Sequence, residues 1–145
     1  MPFRFPLASV LRVRESVEKR EEVALQKAHL EVAHVRRAID ELTAELERAC
    51  DEREKALRRT IPASRLRAIE IEINAAVETK QTLLNSLETL RRRRDAQMKR
   101  YKTAHSERQM LTDLLAQQKS SYEHEQIRIQ QKRLDDIVAT RWQRN

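Results

Sequence analysis

The sequence predicts an all-α protein: a two-helix antiparallel coiled-coil hairpin with unequal arms, the second helix the longer. Three observations predict it. The 145 residues contain no glycine and 3% aromatics, while 37% are charged. A compact domain would need glycine for turns and aromatic bulk for a core, whereas the abundant Ala, Leu, Glu, Lys, Arg and Gln are good helix formers. Pro62 is the only proline after residue 6. On both sides of it, apolar residues recur at spacings of three and four, the mark of helices that pack along a seam. High charge and a mean hydropathy of −0.80 would also suit a disordered chain; sustained heptads decide for helix.

The first arm is expected from about 7 to 58. Ala28, Val32, Val35, Ile39, Leu42, Leu46 and Ala49 keep one heptad register. Nearer the N-terminus, Val10, Val13, Val17 and Ala24 fall in a different frame, and the step Ala24, Ala28, Val32 implies a four-residue stutter that relaxes the supercoil. The turn is placed at about 59–64, inside RRTIPASRL. A proline ring costs ~3 kcal/mol inside a helix and little at its start. Without glycine the turn has no easy left-handed cap, so extended or 3₁₀ residues are expected. The second arm, about 65–140, carries Leu66, Ile73, Lys80, Leu87, Arg94, Tyr101, Arg108, Leu115, Tyr122 and Ile129 on one row. Ile69, Ala76, Leu83, Leu90, Ala104 and Leu111 form the other row. The chain, 1–145, reads as a single hairpin.

Matching residues of like size predicts the pairs Ala49–Ala76, Leu42–Leu83 and Val35–Leu90, whose numbers add to 125, and Ile39–Leu87 and Leu46–Lys80, which add to 126. At ~1.5 Å per residue the arms would be ~75 and ~110 Å long. In that register the second helix overhangs the first from about residue 118. The overhang still carries Tyr122, Ile127, Ile129, Leu134, Ile137, Val138 and Trp142, too many apolar residues for a freely solvated helix. A partner is expected there.

Several function classes are excluded. No stretch reaches the ~18–20 apolar residues of a membrane span, and the N-terminus lacks the apolar run of a secretory signal. Cys50 is alone, which fits a reducing, cytosolic setting. The histidines 29, 34, 105 and 124 show no metal spacing, and a chain without glycine has no phosphate-cradling loop. Two helices enclose no pocket for a catalytic set. The chain reads as a non-enzyme that uses no cofactor and no metal.

Charge is uneven. Residues 1–58 hold 12 basic and 12 acidic side chains, and residues 59–145 hold 18 and 11, so the second part carries the whole net charge of +7. Arg91, Arg92, Arg93, Arg94, Lys99, Arg100 and Lys102 concentrate it around a single acid, Asp95. One reading is a solvated face compensated by Glu21, Glu22 and Glu31 across the hairpin; another is a docking segment for an acidic protein. Nucleic acid fits less well, because a basic zipper sets its basic region ahead of the heptads rather than within them. Lys80, Arg94 and Arg108 lie on a seam row, where their long stems are expected to reach out to solvent.

Both ends carry a further pattern. Phe3, Phe5, Leu7, Val10, Leu11 and Arg14 form F-x-F-x-L-x-x-[VL]-L-x-x-R, and Lys132, Leu134, Asp135 and Asp136 form K-x-L-D-D. With the heptads and the mid-chain break, the chain resembles the FliJ family of the bacterial flagellar type III export apparatus. The family usually has Glu where Asp136 stands. The resemblance implies a non-catalytic antiparallel coiled coil similar to the central stalk of rotary ATPases, cytoplasmic and peripheral at the flagellar basal body. It implies binding to a hexameric export ATPase, promoting its assembly and activity, and to the cytoplasmic domain of the export gate, with export chaperones as further partners. The ATPase contact would draw on Phe5, Leu11, Arg14, Lys132, Arg133, Leu134, Asp135, Asp136 and Ile137. The gate contact would fall on Ile73, Val77, Lys80 and Leu84, where Lys80 replaces a small residue and Leu84 a polar one. From the residues alone, a virulence-type secretion stalk, a generic coiled-coil scaffold and a basic nucleic-acid binder stay open.

Overall fold

The computed structural model describes residues 2–144 and is built of two α-helices, α1 (Ala8–Leu57) and α2 (Ala63–Arg144), with no strand among the described residues. α1 starts just after Pro6, with the Ala8 amide donating to the Phe5 carbonyl at 3.2 Å and the Leu11 amide to Leu7 at 2.9 Å. It ends by tightening: the Arg58 amide still reaches Glu54, but Arg59 reaches Ala56, only three residues back. Pro62 stands immediately before α2, and its carbonyl accepts from the amides of Arg65 (3.1 Å) and Leu66 (3.3 Å). The ring has no N–H to waste there. No described residue has a positive φ, so the link 58–62 turns the chain without a left-handed cap. Threonines inside the helices hand their hydroxyls to the carbonyl four residues back, as Thr43 does to Ile39 at 2.7 Å and Thr79 to Ala75 at 2.9 Å. That bond keeps a residue of modest helix propensity satisfied.

Packing divides the chain into two compact units, Glu21–Tyr101 and Met1–Arg20 with Lys102–Asn145. In the unit that contains the turn, α1 and α2 run antiparallel, and the core is the seam between them. Val32, Ile39 and Leu87 are buried at its centre, with Val35, Leu83 and Leu90 packed against them. Leu25 and Ile73 are buried further along. Among the described residues no side chain is fully buried, since two helices can cover a side chain only from two directions. The rows of α2 are those expected from the heptads.

The core cluster brings Val32, Val35 and Ile39 of α1 together with Leu83, Leu87 and Leu90 of α2. In the other unit the ion pairs Arg14–Glu107, Glu18–His105 and Glu18–Arg108 add to 121, 123 and 126, a spread that such long side chains allow. The link is short: α1 ends at Leu57 and α2 begins at Ala63.

The unit holding the termini is sparser. Leu11 and Ala104 are its buried apolar residues, and the seam is otherwise tied by Arg14, Glu18, His105, Glu107 and Arg108. The expected stutter is absent. The inward positions of α1 run Leu11, Arg14, Glu18, Glu21, Leu25, Ala28 and Val32 at unbroken spacing, while Val10 and Val13 are exposed. Apolar residues misled the reading because polar residues fill the seam here. Residues 2–6 continue past the start of α1 along α2, lining a groove with Gln118, Ser121 and Tyr122, and Phe3 packs on Tyr122 with ring centroids 5.5 Å apart. Extended chain advances ~3.3 Å per residue against 1.5 Å in a helix, so a few residues cover α2 well beyond residue 118. Ile129 is the last half-buried residue of α2.

Candidate docking surface

Every residue from Gln130 to Arg144 is exposed, although this stretch is fully helical. Leu134 is 62% exposed and Trp142 81%, with Ile127, Ile137 and Val138 open as well. Position explains why. Continuing the seam rows beyond Ile129 leads to Lys132, Asp136, Ala139 and Gln143, which offer little to a second helix. At 100° per residue, Ile127, Leu134, Val138 and Trp142 fall within roughly 80° of one another on the outer side. The apolar face has thus rotated away from the seam, so it does not await α1. Lys132, Arg133, Asp135 and Asp136 are exposed beside it. Their side chains have no partner among the described residues; Asp136 only lends its carbonyl to the Thr140 hydroxyl at 2.7 Å.

The N-terminal motif lies elsewhere in the same unit. Leu11 is buried, Phe5 is half-buried, and the Arg14 guanidinium donates to Glu107 at 2.5 Å. These side chains fasten the start of the chain to α2, and the structure does not bring them together with residues 132–137. In the unit containing the turn, the four gate-type positions separate. Ile73 is buried in the seam and Lys80 half-buried on it, whereas Val77 and Leu84, seven residues apart, are exposed on one flank.

The basic segment is largely solvated. Arg91, Arg92, Arg93, Lys99, Arg100 and Lys102 are exposed. Arg92 pairs with Glu88 at 2.7 Å and Arg94 with Asp95 at 3.1 Å, both within α2. Glu21, expected to face the basic residues, instead accepts from the Gln97 amide.

One constellation escaped the sequence reading. Glu18 accepts from Arg108 Nε at 2.5 Å and lies 3.1 Å from His105 Nδ1, with only 16% of the Glu18 side chain and 22% of the Arg108 side chain exposed. The Arg108 hydrogen bond, more than any other cause, holds the Glu18 carboxyl below the usual carboxylate range; the contact with His105 and the two positive charges add to it, and desolvation works against them. Arg108 was expected to reach out of the seam and instead turns along it to Glu18. The signal was present as charged residues on inward rows of both helices. Among the described residues, no group of three His, Cys, Asp or Glu could hold a metal, and no helix is long and apolar enough to cross a membrane.

Two long helices, a thin seam and an uncovered apolar face define a coiled-coil protein. The model of the family described as flagellar FliJ protein matches residues 3–145. The chain belongs to the FliJ family, and is a non-catalytic component of the flagellar export apparatus. No curated protein and no solved structure matches it.

Proposed function

We propose that this protein is a stalk-like adaptor that engages the hexameric export ATPase through α2 beyond Ile129, promoting its assembly and activity. The observation that carries this reading is the stretch Gln130–Arg144, helical yet wholly uncovered, with its apolar residues turned away from the seam. Leu134 and Ile137 are the anchors, together with Val138 and Trp142. Burying each contributes roughly 1.5–3 kcal/mol, so four contribute about 6–12 kcal/mol, enough to offset much of the ~4–15 kcal/mol cost of association. Lys132, Arg133, Asp135 and Asp136 then pair with polar groups lining the ring. Phe5, Leu11 and Arg14 assist by holding the N-terminal segment on α2. Val77 and Leu84 present a second apolar flank to the cytoplasmic domain of the export gate, with Ile73 and Lys80 supporting it from the seam. The basic segment 91–102 suits an acidic protein, such as an export chaperone, better than nucleic acid. The protein works in the cytoplasm, peripheral at the base of the flagellum.

Truncation after Gln130 tests the reading. It removes no covered residue, so helicity and thermal melting of the remainder persist, while stimulation of ATP hydrolysis by the cognate hexamer is lost. Full stimulation by the truncated chain would refute it.

A further inference from the structure

The link between the helices carries a feature that the adaptor role proposed above does not use. From Arg53 to Arg67 the chain holds six basic residues, Arg53, Lys55, Arg58, Arg59, Arg65 and Arg67, and one acid, Glu54. Glu54 is already engaged by Arg58 at 3.1 Å. The other five cations have no side-chain partner among the described residues, and all but the half-buried Arg53 are exposed. Asp51, Glu52 and Glu70 border the cluster from outside, and Glu52 shares an open groove with Lys55, Arg59 and Arg65. The first turn of α2 contains no acid, so the positive end of that helix adds to the field rather than being neutralised. Set among these charges are apolar residues open to solvent in whole or in part. Leu57 is 63% exposed, Pro62 is exposed, and Ile61 is half-buried.

We propose that this basic turn docks on an anionic lipid bilayer, with Leu57 and Ile61 entering the headgroup region and the surrounding guanidinium groups lying among the phosphates. Three observations choose the bilayer over other anionic partners. The patch spans 15 residues, fewer than the ~20–30 a side of a stable protein interface. A bilayer sets no such requirement, because each basic residue near an anionic surface adds its own increment, about fivefold in partitioning. The apolar residues between the cations are aliphatic, and the patch has no aromatic. A nucleic acid would offer them phosphates but nothing to stack on, whereas the boundary between headgroups and acyl chains accepts aliphatic side chains. Finally, the cations stand on both sides of a turn, at the end of α1 and the start of α2. A flat charged surface can meet all of them at once.

The test uses the full-length protein and vesicles of phosphatidylcholine with or without phosphatidylglycerol. Sedimentation with the anionic vesicles, weakening as salt is raised, is the expected result. The variant R59Q/R65Q/R67Q should bind about 100-fold more weakly, at roughly fivefold per residue. R12Q/R36Q/R37Q removes the same charge from exposed positions away from the turn and should bind nearly as the parent does. A Leu57→Trp variant, with Trp142→Phe to leave one reporter, should shift its fluorescence to the blue on anionic vesicles only. No sedimentation with anionic vesicles, or equal losses in the two triple variants, would overturn the proposal. So would tighter retention on duplex DNA or polyglutamate than on vesicles at the same salt. All the substituted positions except Leu57 and Trp142 carry charged, exposed side chains, and unchanged helicity confirms that each variant is folded.

Discussion

Replacing Glu18 by Gln removes one negative charge from the seam of the terminal unit, the carboxylate that Arg108 and His105 share. The Glu18 and Arg108 side chains are 16% and 22% exposed and meet at 2.5 Å. A hydrogen bond to a charged group contributes about 1.5–3 kcal/mol. The shielding here comes from neighbouring side chains in a thin seam, with water close by, so screening lowers that value. A loss of about 1–2 kcal/mol is expected at pH 7, read as amide exchange roughly 5–30 times faster in residues 8–20 of α1. The carboxyl has its acidity raised chiefly by Arg108, and this sets the sign of the pH effect. A group whose folded pKa is depressed contributes its full stability above its unfolded value, near 4.5, and loses it as pH falls through the lower folded value. The parent protein should therefore lose protection in this unit below about pH 4.5, and Glu18→Gln should show a flatter profile there. The double variant with Arg108→Gln should recover part of the loss, because the cation held by that carboxylate is removed with it. Equal exchange in parent and Glu18→Gln at pH 7, or an identical acid profile, would refute the assignment.

Two further outcomes follow from the packing. In a Cys50→Ser background, cysteines at Leu42 and Leu83, an expected pair of the antiparallel seam, should form a disulfide within one chain; cross-links formed only between chains, measured by non-reducing electrophoresis of dilute protein, would refute the hairpin. Leu87→Ala, at a position only 7% exposed, should cost about 2–4 kcal/mol in denaturant unfolding, whereas Leu134→Ala should leave stability within about 0.5 kcal/mol and show its effect only on ATPase stimulation.

Much of the candidate site was legible in the residues. The apolar run from Ile127 to Trp142 stands out because its seam positions, Lys132 and Asp136, turn polar while the outer positions turn apolar. What could not be read was where the cover ends. Six non-helical residues after Met1 reach as far along α2 as a longer helical segment would, and Phe3 on Tyr122 moves the boundary from about 118 to Tyr122. The gate-type stripe shows the converse. The family resemblance put Ile73 and Leu84 in one set, but burial divides them, since one faces the seam and the other its flank.

The sequence by itself determined two helices broken at Pro62 and the rows of α2 that face inward. These are local properties: a backbone bond spans four residues, and a heptad row depends only on which side chains avoid water. Tertiary structure alone decided which residue stands opposite which. Two apolar ladders mesh nearly as well after sliding by a turn, so burial alone barely distinguishes neighbouring offsets. The offset is set by the short link at 58–62 and by directional ties such as Glu18 to Arg108 and Arg14 to Glu107. Those ties also override the apolar frame of Val10, Val13 and Val17, because a charged pair that satisfies itself inside the seam can hold a register that apolar residues would not choose.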